Sequence, residues 1–400
     1  MTITALRDVS DRSDFDLSAF ITQVAEGAST RDSERQLPFE LIEAVRNLRL
    51  GALRLPTHTG GAGYTYRQLL SFIIDLAAAD PNVAHILRNH YSFVELYAQP
   101  HVKGSAKWTE LVSEGLIFGL GAGELHKTVG AGLVSTTVSK TEDGLRISGS
   151  KYYSTGSLYA DYILIRAAWA DGPKASVVLP TKRAGVRLVD DWDGIGQRLT
   201  GSGSTFLENV EVNEDEVFSD EAEDDYRTPY NTTLGHILVT AVATGVARAA
   251  ANEAGALIAR RERSFSHAPT VLPTEDPILL QDLGEISSAA FATEALVLAA
   301  ADALDLVDKV AASGGNASVE RHAASLAAAK AKVVIDNLAL NAASKIFDVG
   351  GASATKRAEN LDRHWRNIRT LISHNPASYK ALHIGKFELD GTLIPDNGFF

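Results

Sequence analysis

The sequence contains no cysteine. Its absence excludes disulfide bonds, thiolate catalysis and cysteine-ligated zinc. The eleven histidines do not replace cysteine as metal ligands, because His85 and His90 are five residues apart, off a common helical face, and no HExxH motif occurs. We therefore expect neither a structural nor a catalytic metal.

Positive charge and long apolar runs are also scarce. The 38 Lys and Arg residues are outnumbered by 50 Asp and Glu, for a formal net charge of −12. Phosphate binding needs a basic stripe, and none is visible, so no nucleic-acid partner is expected. No apolar run approaches the roughly 20 residues that span a bilayer, and residues 1–8 lack the apolar core of a signal peptide. We therefore expect a cytoplasmic protein without a membrane partner.

Apolar spacing divides the 400 residues into three parts. Residues from about 15 to 110 show helical periodicity, as in Leu17, Phe20, Ile21 and Val24. From about 117 to 217 the period is two, in short runs bounded by Gly, Asp and Pro, which predicts antiparallel β structure. An acidic run at 219–225 is read as a solvated linker. Alanine-rich helices are predicted after it, at about 236–262, 277–312, 318–348 and 361–374.

This order predicts an α+β protein. The proposed domains are an N-terminal α-helical domain (1–116), a middle β domain (117–226) and a C-terminal helical bundle domain (227–400). Two loops of the β domain, at 151–157 and 194–205, are rich in hydroxyl side chains and glycine. Such loops are ordinary hairpin connections or places where a sheet edge presents donors to a flat ligand, and both readings stay open.

The segment 361–376 is strongly amphipathic. Apolar residues recur at helical spacing on one face, and a second face carries Arg363, Arg366, Asn367, Thr370 and His374. Pro376 predicts that the helix ends at about His374. At that end the histidine would face a cavity, and the helix macrodipole would favour its protonated form. A buried helix with a capping histidine is the alternative.

His90 and Tyr91 lie in an otherwise apolar helix that begins at Pro81, with Asp80 as its N-cap. A polar side chain there needs a partner. The two residues either face a ligand or are satisfied within the core.

Together with several motifs, the order of elements resembles the acyl-CoA dehydrogenase superfamily over nearly the whole chain. The motifs are Tyr64 after the glycine-rich 60–63, SGSKYYSTG at 148–156, FLENVEV at 206–212 and VGGA at 349–352. The resemblance implies an acyl-CoA dehydrogenase-like fold: an all-α N-terminal domain, a middle β-barrel and a C-terminal four-helix bundle. It also implies a flavin held between them and a homotetramer.

The dehydrogenase base is missing at the two positions where members of the superfamily carry it. One matching position is His374, and the other, 232–236, has no carboxylate. Segments 361–367 and 373–376, followed by Gly385 and Gly391, resemble instead the flavin-dependent monooxygenase branch, which is dibenzothiophene monooxygenase-like. Some sulfur-oxidising members carry a second histidine three residues before the position of His374, and this sequence has Leu371 at that position instead.

The branch implies a two-component enzyme in which a separate NAD(P)H:flavin reductase supplies reduced flavin. That flavin is FMN, with FAD as the alternative, and it reacts with O₂ to form a C4a-(hydro)peroxyflavin. One oxygen atom then goes to a small substrate, at the sulfur of an organosulfur compound. An acyl-CoA dehydrogenase, an N-hydroxylase or aromatic hydroxylase of the same branch, and a non-catalytic scaffold remain as alternatives.

Residue roles follow from the same resemblance. His374, His90 with Tyr91, and Ser154 are the catalytic candidates. Ser154 and Thr155 occupy the loop that contacts flavin N5 in relatives, where a hydroxyl donor would stabilise the peroxyflavin. Arg263 matches an arginine that reaches the flavin phosphate across a subunit interface. The further cofactor-binding candidates are Ser202, Ser204, Arg369, Gly350 and Gly351, the two glycines facing an adenine if FAD is bound.

Overall fold

The computed structural model of the chain describes residues 17–102, 104–125, 134–170, 172–219, 229–398 and 400. Apart from Ser219, the acidic run predicted as a linker lies outside these residues, and so does the predicted domain boundary at 226.

Six α-helices precede the sheet in the described part of the chain. They are α1 Leu17–Ala25, α2 Ala28–Glu34, α3 Phe39–Asn47, α4 Tyr66–Ala79, α5 Pro81–Phe93 and α6 Ala106–Ser113. Helix α5 begins as its sequence predicts, because the Asp80 side chain accepts the Asn82 N–H and Pro81 occupies the first turn. Burial on nearly every side makes α5 a fixed support for the polar residues it carries.

The middle of the chain forms an eight-stranded sheet with the order β6-β7-β3-β2-β4-β5-β8, and β1 pairs with β4. Its strands are β1 Phe118–Gly121, β2 Thr137–Thr141, β3 Gly144–Lys151, β4 Tyr162–Trp169, β5 Lys174–Pro180, β6 Val186–Val189, β7 Ser204–Val212 and β8 Val217–Ser219. Alternate residues of β2, β3, β4, β5 and β7 enclose one apolar cluster, as in a barrel interior.

Most of the strand pairs are antiparallel, as predicted, but β4 pairs in parallel with both β1 and β2. The prediction of a purely antiparallel domain is therefore wrong at β4. Parallel neighbours need a long connection. The β2–β3 hairpin and the loop after it supply that connection, which local periodicity does not reveal.

Long helices return after residue 232. They are α7 Thr233–Arg260, α8 Pro277–Ala312, α9 Ser318–Gly350, α10 Asp362–Ser373 and α11 Ala377–Asp390. Four lie within a few residues of the predicted ranges. Helix α11 was not predicted, because Lys380 is its one buried residue and it lacks an apolar stripe.

Helix α7 lies at the centre of the molecule, packed against α4, α5, α8, α9 and α10. Among the described residues it is the one helix long and apolar enough to cross a bilayer, but 72% of its most apolar window is buried within the fold. A central position accounts for this composition. One apolar cluster joins the N-terminal helices to the bundle around α7.

Candidate functional site

A cavity of about 1000 Å³ lies where α5, the loops of the sheet, the start of α7 and the end of α10 meet. All three parts of the chain contribute to its wall. This volume is at the upper end of the range for small-molecule and cofactor pockets, about 300–1000 Å³. The cavity is therefore large enough for an extended organic ligand.

Helix α10 brings its C-terminal residues to this cavity. It ends at Ser373 with His374 as C-cap, so the predicted helix end is confirmed, and Arg369, Thr370, Ser373 and His374 line the wall. Two arginines of the predicted polar face have structural roles instead. Arg363 pairs with Glu253 at 2.5 Å, and Arg366 pairs with Asp32 and Asp362, each at 2.7 Å.

His374 is held by Arg88 of α5. The Arg88 guanidinium Nη1 lies 3.3 Å from His374 Nε2. Because a guanidinium only donates, Nε2 accepts, and a neutral ring then carries its proton on Nδ1. Although this side chain keeps contact with solvent through the cavity, the Arg88 charge, followed by burial, lowers the pKa of His374 to about 2. This corrects the predicted protonated form: a full cation nearby outweighs the partial charge of a helix end.

His85, one turn before Arg88 on α5, is the second histidine of the cavity wall. Gln197 donates its amide N–H to Asn367 Oδ1 at 3.1 Å, so its amide oxygen faces His85 Nδ1 at 3.0 Å. Nδ1 is thus the donor, and Nε2 presents a lone pair. That Nε2 atom is buried and has no hydrogen-bond partner among the described residues. Burial lowers the pKa of His85 to about 3, which keeps the ring neutral.

His90 and Tyr91 do not line the cavity, which corrects their predicted catalytic position. His90 Nε2 lies 2.9 Å from the Gly51 carbonyl oxygen, and His90 Nδ1 accepts the Phe118 N–H at 3.2 Å. The Tyr91 hydroxyl donates to the Leu50 carbonyl at 2.7 Å. Both side chains tie α5 to neighbouring backbone and are satisfied core residues.

Hydroxyl groups form a directed chain at the sheet side of the cavity. Thr200 donates to the Gln197 carbonyl at 2.8 Å, so it accepts from Ser202 Oγ at 2.6 Å. Ser202 in turn accepts from Thr155 at 2.8 Å. With its proton committed to Ser202, Thr155 presents an acceptor oxygen to the cavity. This direction of the hydrogen bonds corrects the predicted role of Thr155 as a hydroxyl donor.

Ser154 and Ser204 are close in sequence but do not line the cavity. Ser154 Oγ accepts from Thr205 at 3.0 Å, and Ser204 donates its N–H and its hydroxyl to Asp191, each at 2.7 Å. The structure therefore separates them from Thr155 and Ser202, which line the cavity.

The remaining predicted cofactor residues lie in two places. Arg369 lines the cavity, and its guanidinium has no partner among the described residues. Arg263, Gly350 and Gly351 do not line it. Phe265 of the exposed Arg263 loop lies against Gly351, so those three residues share one surface outside the cavity of their own chain.

Glu95 is the one carboxylate among the described cavity-lining residues. Its oxygens accept from Arg54 Nε at 2.7 Å and from the Tyr66 hydroxyl at 3.0 Å, so its charge is already committed. At the start of α7, His236 bonds to Asn375 and to the Gly398 carbonyl. Within the described ranges, no group of three His, Asp or Glu side chains is placed to hold a metal ion.

The sequence prediction missed His85, Arg88 and Gln197. For α5 a signal was available, since His85, Arg88, Asn89 and Ser92 follow the spacing of one helical face, and all four line the cavity. Gln197 had no such signal. Gln197 itself has a left-handed backbone conformation (φ 52°) in its loop. Local sequence does not predict this conformation, which directs the side chain to His85.

The chain is similar in sequence to known proteins. Residues 237–379 match the family model described as acyl-CoA dehydrogenase, C-terminal domain. Over 375 residues the chain is 30% identical to dibenzothiophene monooxygenase of Rhodococcus qingshengii, covering 89% of this chain and 88% of that protein.

Two solved structures have the same fold. TdsC from Paenibacillus sp. A11-2, in complex with FMN and indole, matches with a TM-score of 0.86 at 26% identity, covering 96% of this chain and 99% of that one. Methanesulfinate monooxygenase MsuC from Pseudomonas fluorescens matches with a TM-score of 0.86 at 28% identity, covering 96% and 98%.

Proposed function

Because the chain belongs to the flavin-dependent monooxygenase branch of the acyl-CoA dehydrogenase superfamily, we propose that it oxygenates a small organosulfur compound with reduced FMN and O₂. The observation that carries the proposal is the pair of neutral histidines, His85 and His374, lining one cavity. By resemblance, His374 stands at a position where a dehydrogenase carries its carboxylate.

The residues present fit a reduced flavin. Thr155 offers a buried acceptor oxygen, which suits a ring N–H, and Arg369 offers an unpaired guanidinium, which suits a phosphate. When bound, reduced FMN supplies the two electrons that activate O₂. The protein's part is to orient the reactants, exclude water and control protons.

Neutral histidines suit that control of protons. His85 Nε2 has a lone pair without a partner among the described residues and His374 Nδ1–H is a donor, while the low pKa of both rings keeps them from passing into the charged form. A neutral imidazole can polarise an oxygen without carrying a full positive charge next to it. The same arrangement disfavours proton-driven loss of H₂O₂.

An acyl-CoA dehydrogenase is the weaker candidate. Its reaction needs a carboxylate able to take a proton from the carbon next to the thioester. Glu95 is bound by Arg54 and Tyr66, and the two histidines are too weakly basic for that work.

Assembly and location are part of the proposal. A homotetramer would let Arg263 of one copy approach the FMN phosphate of another, which suits its exposed position outside its own cavity. A separate NAD(P)H:flavin reductase would supply reduced FMN. NAD(P)H and reduced FMN are both cytoplasmic compounds, so the enzyme would work in the cytoplasm.

The test combines the protein with a flavin reductase, NADH, FMN and ¹⁸O₂. The substrate panel holds thioethers, sulfoxides, sulfinates, aromatic heterocycles and amines. Incorporation of one ¹⁸O atom at sulfur is the expected result. Reduced FMN consumption with H₂O₂ as the sole oxygen product across the panel would refute the proposal. Turnover of an acyl-CoA thioester with an artificial electron acceptor would favour the dehydrogenase.

The direction of the hydroxyl chain makes a separate prediction for Thr200→Val. This nearly isosteric change removes the final donor, so Ser202 loses its acceptor and the chain can reverse. Thr155 then points a proton at the cavity, where reduced flavin has a ring N–H and oxidised flavin a bare nitrogen. We expect the ratio of Kd for reduced to oxidised FMN to rise about tenfold, the effect of one hydrogen bond.

Thr205→Val is the matched control, because Thr205 bonds to Ser154 outside the cavity. Both dissociation constants are measured by anaerobic and aerobic fluorescence titration. Equal ratios in the two variants would show that Thr155 does not act as a directed acceptor.

A further inference from the structure

The cavity contains a positive charge that no carboxylate neutralises. Arg88 Nε donates to the Gly235 carbonyl at 2.8 Å, and Nη1 contacts His374 Nε2 at 3.3 Å and Asn89 Oδ1 at 3.5 Å. All three partners are neutral. Burial is the one cause that shifts its pKa, which falls to about 10 without an opposing acidic group. The guanidinium nevertheless stays charged at neutral pH.

Such an arrangement needs an explanation. A half-buried cation without a counter-charge is unfavourable, and proteins normally pair it with an acid. Several other arginines of this protein are paired with acids, as Arg54 is with Glu95 and Asp308. Arg88 instead shows its remaining donor capacity to the cavity, which it lines.

The surroundings of Arg88 also favour a negative ligand. The first turn of the 28-residue helix α7 lines the same cavity, and helix N-termini carry partial positive charge. Gly235 allows this approach, because a Cβ there would lie 3.0 Å from Ser92 Oγ of α5. Glu95, the one carboxylate among the described lining residues, is neutralised by Arg54.

We propose that Arg88 binds the anionic group of the substrate and that the substrate is a small organic sulfinate. This inference rests on the proposed function and adds the charge of the substrate to it. The relevant geometry is the 3.3 Å contact between Arg88 and His374, which places the anion beside the proposed reaction centre. In a sulfinate, the negative oxygens and the oxidisable sulfur lone pair belong to the same group.

The remaining wall suits a short organic substituent. Phe93, Leu96, Leu120, Leu164 and Leu234 line the cavity and provide apolar contact. The sulfur lone pair forms a new S–O bond, the O–O bond of dioxygen breaks, and a sulfonate results. The second oxygen leaves as water, with two electrons from reduced FMN and two protons.

The test compares an alkanesulfinate with the methyl sulfoxide of the same alkyl group, a neutral molecule of similar shape that also has a sulfur lone pair. In Arg88→Met, the ratio of kcat/KM for sulfinate to kcat/KM for sulfoxide should fall about 30- to 100-fold, as expected for lost charge-assisted hydrogen bonds. Any effect on His374 acts on both substrates and cancels in the ratio. Arg88→Lys, which keeps the positive charge, should recover part of the lost sulfinate-to-sulfoxide ratio.

Three results would overturn the inference. An unchanged ratio would mean that Arg88 serves His374 or oxygen activation rather than the substrate. A loss of FMN affinity in Arg88→Met without a loss of riboflavin affinity would assign Arg88 to the flavin phosphate. If the wild-type enzyme oxygenates sulfoxides or thioethers but not sulfinates, the proposed function stands and the proposal of a sulfinate substrate is refuted.

Equilibrium binding keeps the two proposals distinguishable. An alkanesulfonate, which cannot be oxidised further at sulfur, should bind the FMN-loaded enzyme in calorimetry and bind Arg88→Met about 30- to 100-fold more weakly. If no substrate is oxygenated, the proposed function fails, and this measurement still decides whether Arg88 forms an anion site. Equal sulfonate binding by the wild type and by Arg88→Met would show that Arg88 does not form an anion site.

Discussion

His85→Phe should lower the rate of oxygenated product formation by about 100-fold, comparable to the loss of one oriented hydrogen-bonding group in an active site. The substitution keeps an aromatic ring on α5, at a residue that lines the cavity, but removes the buried Nε2 lone pair, which has no hydrogen-bond partner among the described residues. Reduced FMN should still be consumed, with H₂O₂ replacing product. The measurement is the ratio of product to H₂O₂ per NADH oxidised.

His90→Phe is the matched control. It changes the same residue type on the same helix, at a site buried away from the cavity. The Gly51 carbonyl and the Phe118 N–H would lose their partner, at a cost of about 1–3 kcal/mol each in the free energy of unfolding. Product formation per folded molecule should stay within about threefold, since no cavity group is lost. Equal loss of coupling in both variants would contradict the role of His85.

Removing His85 should also change the acid sensitivity of the protein. The folded-state pKa of about 3 lies below the ordinary 6.5, so the unfolded chain binds this proton first as the pH falls. The stability is therefore complete above pH 6.5 and declines below it, by up to about 1.4 kcal/mol per pH unit for this one group. Urea unfolding at pH 7 and pH 5 should show a smaller decline in His85→Phe.

The second large effect is expected for His374→Ala, with a loss of oxygenation of about 100-fold or more, as for the loss of one oriented hydrogen-bond donor. The variant removes the Nδ1–H donor and leaves the Arg88 Nη1 with Asn89 Oδ1, at 3.5 Å, as its remaining acceptor. Ser373→Ala is the control on the same wall, because Ser373 lines the cavity but its hydroxyl donates to the backbone of Arg369. Product yield in coupled assays separates the two, and similar yields from both variants would remove His374 from the mechanism.

The pH profile provides an independent check on His374. Because the pKa of its imidazole is lowered from 6.5 to about 2, the neutral form persists as the pH falls through the ordinary range. The wild-type kcat should therefore show no acid limb near pH 6.5 that depends on His374. Arg88→Met removes the main cause of the shift, while burial still lowers the pKa, so an acid limb that depends on His374 should move to higher pH in that variant. A wild-type acid limb lost in His374→Ala would contradict the neutral histidine.

Sequence patterns predicted the elements that depend on local properties. Apolar spacing located α7 to α10, and Pro376 located the end of α10 beside His374. These predictions succeeded because capping, proline geometry and helical periodicity act over a few residues. Helix α11 and the parallel pairing of β4 were missed, because one lacks an apolar stripe and the other depends on a distant connection.

The amino-acid sequence by itself determined the succession of helices, sheet and bundle, the absence of cysteine chemistry and a histidine at position 374. Tertiary structure alone decided which polar residues share a cavity: it brought His85 and Arg88 to His374 and kept His90 in the core. It also decided the charge of His374, by placing a guanidinium 3.3 Å away. The reason is that a side chain's protonation and partners depend on neighbours nearly 300 residues apart in sequence, whereas local structure depends on adjacent residues.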